Sequence, residues 1–318
     1  MKRFSVVVSD KRHESYAIER RILENCDADL IIADCRNEED MIRSCREADG
    51  ILLDLAPVTK KVVNQLNMCK IISRYGVGID NINIPACTEK GIKVTNVPDY
   101  CEEDVPEYAL ALLLNCIRHI SDRDRRVRNG EWNIKYQHTF RIKGKKLSLL
   151  GFGRIARSLV RKVKGFELSM IYVYDPYVDE EVIEKYGAKK VDLHTAVKEA
   201  DYLSLHLPLT DETYRIINSE LLSMMKPTSI LINTARGALV DDIALLEVLE
   251  NKKITCAGLD VHNNEPLSQS SEFLSIENCV LTDHAAYDTE EAIFDLKTKA
   301  AENIRDFIEN NELKYSLN

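Results

Sequence analysis

Short apolar runs alternate with amphipathic stretches along nearly the whole chain, and this alternation restricts the folds open to it. In the first hundred residues, the runs that predict buried strands are 6–8, 30–32, 51–53, 70–73 and 93–95. The stretches with helical spacing between them are 14–24, 38–46 and 60–66. Apolar strands separated by amphipathic helices are typical of a parallel sheet that is covered by helices on both faces.

The same alternation begins again at Lys146. The predicted strands of this second set are 147–150, 171–174, 202–205, 229–232, 255–259 and 280–281. Between the two sets we expect one long helix, with Asp104 as its N-cap and Gly130 as its stop. A last helix, at about residues 289–309, has no sheet of its own and is expected to pack against the first domain. A chain of 318 residues with this pattern predicts two α/β domains with doubly wound parallel sheets.

One strand of the second set runs directly into a glycine-rich turn. The turn and the start of the following helix consist of Gly151, Phe152, Gly153, Arg154, Ile155 and Ala156. The first glycine permits a tight turn, the second lets the backbone approach a pyrophosphate, and a small third residue lets helix and strand pack closely. The helix N-terminus would present N–H groups to the phosphates. Such a pattern is weak by itself, because ordinary strand–helix turns share it.

Asp175 follows at the end of the next predicted strand, at about the ~20-residue spacing of a dinucleotide site. A carboxylate there accepts hydrogen bonds from the ribose hydroxyls of NAD and repels the 2′-phosphate of NADP. Pro176 and Tyr177 come next, and neither offers a cation to that phosphate. The alternative interpretation of Asp175 is a turn residue before proline. After the glycine turn, it indicates NAD as the cofactor.

Composition excludes several functional classes. The formal net charge of −9 at pH 7 argues against a nucleic-acid partner, because phosphate binding needs a basic surface. Basic residues do cluster at 118–128, where a solvated helix face or a helix C-terminus explains them. The nine cysteines form no Cys-x-x-Cys pair, so the sequence indicates neither a metal site nor a disulfide framework, and it suits a reducing cytoplasm. No stretch approaches the roughly 20 apolar residues that cross a membrane, so we expect no membrane partner.

Three side chains at predicted strand ends suit the reduction of a carbonyl beside a carboxylate. Arg236 could hold a carboxylate with its planar fork, although an isolated arginine is more often a surface ion-pair partner. His284 titrates in the range needed for the proton that accompanies a hydride. Glu265 could fix the tautomer of that histidine. Taken singly, His284 is more often a structural histidine, and Glu265 is more often a solvated loop carboxylate.

These segments together resemble the D-isomer-specific 2-hydroxyacid dehydrogenase family. The matching segments are 74–81, 96–98, the glycine turn, 206–210, 233–237, 260–266 and His284. The resemblance implies an NAD-dependent oxidoreductase acting on a 2-hydroxy or 2-keto acid. In it, His284 is the acid/base, Glu265 supports it, and Arg236 binds the carboxylate and polarises the keto group. The backbone N–H groups of the loop formed by Tyr75, Gly76, Val77 and Gly78 would also bind the carboxylate.

The resemblance implies further roles and a domain organisation. Besides the glycine turn and Asp175, the residues expected to line NAD are His206, Pro208, Thr213, Thr234, Arg236, Asp260 and His284. A Rossmann NAD-binding domain, residues 104–288, would be inserted into a flavodoxin-like substrate domain formed by residues 1–103 plus 289–318. Family members are commonly homodimers. We therefore expect a cytoplasmic homodimer whose partner is a small 2-hydroxy or 2-keto acid.

The substrate and the functional class have alternatives. Segments 98–101 and 284–287 look closest to the phosphoglycerate-dehydrogenase-like and C-terminal-binding-protein-like branches. Phosphoglycerate-oxidising members tend to carry an arginine near the end of the third strand, where this chain has Asp54; Arg74 remains as a basic candidate. Asp54 therefore argues against a phosphorylated substrate. The co-repressor branch suggests an NAD(H)-sensing interaction protein as the alternative, whereas the presence of Arg236, Glu265 and His284 together favours catalysis.

Overall fold

The computed structural model describes residues 3–133, 135 and 139–318. Its strands are β1 (Phe4–Val8), β2 (Ala28–Ile32), β3 (Gly50–Leu53), β4 (Ile71–Arg74), β5 (Lys93–Thr95), β6 (Lys146–Leu150), β7 (Met170–Tyr174), β8 (Lys189–Lys190), β9 (Tyr202–Leu205), β10 (Ile230–Asn233), β11 (Cys256–Leu259) and β12 (Cys279–Leu281). Its α-helices are α1 (Ala17–Glu24), α2 (Glu38–Cys45), α3 (Lys60–Gln65), α4 (Ile84–Glu89), α5 (Asp104–Arg118), α6 (Ile120–Arg128), α7 (Arg154–Lys162), α8 (Glu180–Glu184), α9 (Leu193–Glu199), α10 (Ser219–Met224), α11 (Asp242–Glu250) and α12 (Glu290–Ile308). Within the described residues, no helix has the length and apolar character to cross a membrane.

The chain forms two compact units, one made of Met1–Tyr100 with Thr289–Asn318 and the other of Cys101–Asp288. The first unit has five parallel strands in the order β2-β1-β3-β4-β5, and the second has seven in the order β12-β11-β10-β9-β6-β7-β8. The first order is that of flavodoxin-like sheets, and the second is the Rossmann order extended by one strand. The predicted fold class is therefore confirmed.

Side chains alternate between the two faces of the first sheet, as the period of a strand requires. Val7, Ile51 and Ile72 pack on the face covered by α2, α3 and α4. Val6, Leu52 and Ile71 pack on the opposite face with α1 and α12. The helix α12 therefore completes the core of the first unit, although it lies far from the rest of that unit in the sequence.

The second sheet is also buried on both faces. The helices α5 and α7 cover one face, where Leu147, Leu149 and Val173 are buried. The helices α9, α10 and α11 pack on the other face, against Leu203 and Leu231. Because all seven strands are parallel, their carboxyl ends lie along one edge of the sheet, and the loops that leave this edge come together.

The predicted strands are all present, with bounds within two residues of those expected. The short elements α4 and β8 were not predicted. The prediction of a single helix from Asp104 to Gly130 is wrong, because His119 adopts a left-handed backbone conformation (φ 54°) that separates α5 from α6. Glu103, not Asp104, is the N-cap residue of α5. Three arginines of α6 pair with acids of the same helix: Arg125 and Arg126 with Asp122, and Arg128 with Asp124.

Gly151 makes the sharp turn between β6 and α7. Its φ is 93°, in the region that glycine adopts without strain. A Cβ atom at this position would lie 2.5 Å from the carbonyl oxygen of His206. That neighbouring segment is itself fixed, because the N–H of His206 donates to the carbonyl of Leu150 at 2.7 Å. Both the dihedral angle and the close approach therefore require glycine here.

We expect Gly151→Ala to lower the free energy of unfolding by about 3 kcal/mol, because backbone strain adds to a clash with a fixed carbonyl. Gly187→Ala is the matched control: Gly187 also has a positive φ (78°), but a Cβ there meets nothing within 4 Å. Gly187→Ala should lower the free energy of unfolding by about 1 kcal/mol, from backbone strain alone. Urea unfolding followed by circular dichroism measures both. Equal losses would mean that the clash with His206 has no effect.

Candidate active site

Most of the residues predicted for the site leave the carboxyl edge of the second sheet. The glycine turn follows β6, His206 follows β9, and Arg236 follows β10. Asp260 directly follows β11, and His284 follows β12. Since these strands are adjacent in the sheet, the structure brings these loops together within one unit. The loop formed by residues 75–78 belongs to the first unit.

His284 and Glu265 form a hydrogen-bonded pair. The distance between Nδ1 of His284 and Oε2 of Glu265 is 2.7 Å, and about a third of each side chain is exposed (35% and 31%). The other carboxylate oxygen of Glu265 accepts the backbone N–H of His262 at 2.9 Å. Burial by itself raises the pKa of Glu265, but the two histidine contacts outweigh it and lower the pKa below its ordinary value. Glu265 is therefore an ionised partner for the imidazole through the neutral pH range.

Asp260 holds the segment that carries His284. Its side chain is fully buried, and its carboxylate accepts three hydrogen bonds: the hydroxyl of Thr282 at 2.7 Å and the N–H groups of Ala285 and Ala286 at 2.9 Å each. Its backbone carbonyl accepts the N–H of His284 at 2.8 Å. His284 itself has a φ of 61°, an unusual conformation for a residue with a side chain. The bonds to Asp260 hold the backbone in this conformation.

Arg236 is held in a turn after β10 by the buried Asn233. The amide of Asn233 donates to the carbonyl of Arg236 at 2.9 Å, and its oxygen accepts the N–H of Ala235 at 3.0 Å. At the next residue, a Cβ on Gly237 would lie 2.1 Å from the carbonyl carbon of His262. Glycine is therefore required for the loop of Arg236 to lie directly against the backbone that supports Glu265.

The glycine turn has the features that a dinucleotide needs. A Cβ at Gly153 would meet no protein atom within 4 Å, so the surface above it is open to a ligand. Ala156 is fully buried where α7 meets the sheet. The carboxylate of Asp175 accepts the N–H of Phe152 at 2.8 Å and that of Tyr177 at 2.9 Å. A carboxylate has about four acceptor positions, so capacity for ribose hydroxyls remains.

Other residues predicted to line the cofactor lie at the same edge. The hydroxyl of Thr213 donates to the carbonyl of Pro208 at 2.7 Å, which closes the loop after β9. Burial lowers the pKa of His206 to about 4, so this imidazole is neutral. Within the described part of the chain, the buried hydroxyl oxygen of Thr234 has no hydrogen-bond partner. A buried hydroxyl of this kind suits a bound polar ligand.

The 75–78 loop leaves the carboxyl end of β4 in the first unit. The N–H of Tyr75 donates to the carbonyl of Leu53 at 2.7 Å, and the carbonyl of Gly76 accepts the N–H of Val97 at 3.0 Å. In the described residues of this unit, the N–H groups of Val77 and Gly78 donate to no protein acceptor. Two such adjacent donors are suited to an anion.

Asp54 and Arg74 lie beside that loop. Asp54 follows β3, next to Tyr75 in the sheet register, and pairs with Arg12 at 3.5 Å. Arg74 folds back so that one of its guanidinium nitrogens donates to the carbonyl of Tyr75. Arg74 therefore fixes the backbone of this loop at Tyr75.

Several residues that shape the site were not assigned a role from the sequence. Asn233, His262 and Thr282 fix Arg236, Glu265 and Asp260 through hydrogen bonds. The only signal for them was their position inside or next to the matching segments. Their partners became identifiable once the strand order had placed these loops side by side.

Comparisons with known proteins give matches along most of the chain. The family model for the NAD-binding domain of D-isomer-specific 2-hydroxyacid dehydrogenases matches residues 110–286. A glyoxylate reductase from Thermococcus litoralis is 39% identical over 272 residues, which cover 83% of this chain and 82% of the relative. A solved glyoxylate reductase from Paecilomyes thermophila superposes with a TM-score of 0.90 at 27% identity, covering 100% of this chain and 99% of the other.

A longer relative gives a further match. The D-3-phosphoglycerate dehydrogenase of Methanocaldococcus jannaschii is 37% identical over 302 residues, which cover 94% of this chain but 56% of the relative. The chain thus spans little more than half the length of that protein. From the two-sheet fold, the glycine turn and these matches together, it follows that the chain belongs to the D-isomer-specific 2-hydroxyacid dehydrogenase family, a family of NAD-dependent oxidoreductases.

Proposed function

We propose that the chain transfers a hydride between NAD(H) and a D-2-hydroxy acid or its 2-keto acid, with His284, Glu265 and Arg236 as the catalytic residues. The observation that carries this proposal is the 2.7 Å contact between the ring of His284 and the carboxylate of Glu265. This pair lies at the same sheet edge as the glycine turn. A protein that only binds NAD has no need of a carboxylate-supported histidine at that edge.

The residues at this edge fit NAD. The open surface at Gly153, the acceptor capacity of Asp175 and the buried hydroxyl of Thr234 are the features that support this assignment. Asp175 would accept ribose hydroxyls, and the N–H groups at the start of α7 would hold the pyrophosphate. When bound, the cofactor supplies or accepts the hydride.

His284 supplies the proton that must accompany this hydride. Because Nδ1 faces the carboxylate of Glu265, Nδ1 keeps its proton and Nε2 is the atom that exchanges a proton with the substrate oxygen. In reduction, Nε2 gives its proton to that oxygen and the ring becomes neutral; in oxidation the same atom removes it. Glu265 stabilises the imidazolium form between these events.

Arg236 provides a positive charge for the substrate. Its guanidinium can bind the carboxylate in a bidentate manner and stabilise the negative charge that develops on the keto oxygen. In the first unit, the N–H groups of Val77 and Gly78 would donate to the carboxylate. Asn233 and Gly237 keep the backbone of Arg236 in place.

We propose a short 2-keto acid without a phosphate group as the substrate. The relatives named above include reductases of glyoxylate, a small unphosphorylated acid, and a dehydrogenase of 3-phosphoglycerate. Asp54, which is adjacent to Tyr75 at the strand ends, places a negative charge beside the 75–78 loop. We propose that this carboxylate disfavours a phosphate dianion here, although Arg12, 3.5 Å from it, offsets part of its charge.

The remaining expectations stay predictions. These are a location in the cytoplasm, assembly into a homodimer, and the extent of the substrate and NAD-binding domains. The named relatives are all dehydrogenases or reductases, and the alternative of an NAD(H)-sensing interaction protein finds no support among them.

We expect His284→Asn to lower kcat/KM for 2-keto acid reduction by about 10³-fold, because the proton donor is lost. Glu265→Gln should lower it by about 10-fold to 100-fold. Because the pKa of Glu265 lies below its ordinary value, its carboxylate stays ionised, and this loss should persist across the whole pH range of the assay. Stopped-flow oxidation of NADH between pH 5 and pH 9 measures both effects.

NADH affinity is the control for these two variants, and it should stay within about twofold of that of the unaltered protein. His194→Asn, at an exposed histidine 3.9 Å from Glu220, serves as a matched substitution elsewhere in the unit. Unaltered turnover in His284→Asn would remove this residue from the mechanism.

Gly153→Ala tests the cofactor site separately from the fold. Its φ of −71° suits alanine and its Cβ meets no protein atom, so the midpoint of unfolding should not change. The dissociation constant for NADH should rise at least tenfold, because the methyl group would occupy the surface that the pyrophosphate approaches. Gly165→Ala, which also has open space around its Cβ, is the control. An unchanged NADH affinity in Gly153→Ala would place the cofactor elsewhere.

The role of Asp54 is tested by substrate comparison. We expect kcat/KM to be at least tenfold higher for hydroxypyruvate than for 3-phosphohydroxypyruvate, and Asp54→Asn to narrow this ratio by removing a repulsive charge. Asp34→Asn, which breaks an exposed ion pair with Arg36 in the same unit, should leave the ratio unchanged. A preference of the unaltered protein for the phosphorylated acid would show that Arg12 or Arg74, not Asp54, determines selectivity.

A further inference from the structure

The 75–78 loop has an exposed face and a buried anchor. Val77 is 40% exposed, whereas the side chain of Tyr75 points into the unit and is 2% exposed. The direction of the N–H groups of Val77 and Gly78 therefore depends on how Tyr75 is held. A buried tyrosine hydroxyl normally has a hydrogen-bond partner, and its position sets the position of the ring.

The partner of Tyr75 is a fully buried carboxylate on α1. The hydroxyl of Tyr75 donates to Oε1 of Glu19 at 3.1 Å. Burial and the charge of Glu19 raise the pKa of Tyr75 well above its ordinary value, so the hydroxyl keeps its proton and acts as the donor. On the other side of Glu19, Oε2 lies 3.8 Å from Nζ of Lys297 in α12, which is 6% exposed. Lys297 also donates to the carbonyl of Ser15.

A second polar connection runs from α12 to the other end of the loop. The amide of Asn303, on α12, donates to the carbonyl of Asn96 at 3.1 Å. The amide of Asn96 donates to the carbonyl of Val77 at 2.8 Å. Asn303 and Asn96 are both buried. The loop is therefore fixed at Tyr75 and at Val77 by polar groups that lead to the same helix.

Stability alone does not explain a buried ion pair at this place. Removing two charges from water costs free energy, and well-packed apolar residues in their place are often as stable or more stable. The pair does, however, supply a fixed carboxylate acceptor for Tyr75: burial raises the pKa of Glu19, and the charge of Lys297 opposes that rise. Small displacements of binding groups lower activity strongly.

We propose that Glu19 is a positioning residue for the 75–78 loop, and that Lys297 of α12 holds its carboxylate in place to accept the hydroxyl of Tyr75. Through Tyr75, it directs the N–H groups of Val77 and Gly78 toward the carboxylate of the substrate. This inference rests on the proposed function, in which those N–H groups bind a 2-keto acid.

Two double variants separate positioning from stability. Glu19→Gln/Lys297→Met keeps an oxygen acceptor for Tyr75, and Glu19→Leu/Lys297→Met removes it; both lack the ion pair and have similar volumes. We expect the KM for hydroxypyruvate to be at least fivefold higher in the leucine variant than in the glutamine variant, with equal NADH affinity in the two. Tyr75→Phe should reproduce the leucine variant. Urea unfolding confirms that each variant is folded.

Equal KM values in the two double variants would overturn the inference, whatever their stability. If the unaltered protein reduces no 2-keto acid, the proposed function fails, and the amide resonances of Val77 and Gly78 are then observed during titration with oxalate. The inference stands if oxalate shifts these resonances in the glutamine variant and not in the leucine variant. It fails if the shifts are the same in both or absent from both.

Discussion

The geometry of the site depends on the hydrogen bonds that the buried carboxylate of Asp260 accepts. Asp260 directly follows β11 and is fully buried, and its carboxylate accepts hydrogen bonds from three donors in the segment after β12. A carboxylate in such surroundings is tolerated only when its acceptor positions are filled. The bonds that make its burial possible are the same bonds that hold His284 in its left-handed backbone conformation beside Glu265. Burial of one charge and placement of the histidine are thus a single structural feature.

The first unit also has a buried carboxylate that accepts backbone N–H groups at the carboxyl edge of its sheet. Asp10, which follows β1 and is buried, accepts the N–H groups of Asp54, Leu55 and Ala56 at 3.0, 2.5 and 3.1 Å. In both units, a carboxylate after one strand ties down the loop that leaves a neighbouring strand. Apolar packing cannot orient a loop at a strand end, because backbone N–H groups there have lost their ladder partners. Buried acids supply those partners and leave the exposed donors of nearby loops for ligands.

The sequence predicts much of the fold and part of the site. The alternation of apolar runs predicts both sheets because parallel strands are buried on both faces, and the pairing of Glu265 with His284 follows from their chemistry within the matching segments. Contacts between segments that lie far apart in the sequence could not be predicted in this way. The approach of Gly237 to His262 and the pairing of Glu19 with Lys297 depend on strand order and helix packing, which leave no local pattern. The break at His119 has no glycine or proline to mark it, so the helical spacing continues through it.

The position of α12 also determines the order in which the two units can fold during synthesis. Cys101–Asp288 is a continuous segment and contains every strand of its own sheet. The five-stranded sheet, in contrast, has one face that α1 covers only in part until Leu296, Ala300 and Ile304 of α12 are added. The bond from Ser73 to the carbonyl of Ala300 joins residues 227 positions apart. A ribosome-bound chain can therefore complete the second unit while the first still exposes apolar surface. The nascent first unit is the part of this chain that would need the protection of a chaperone.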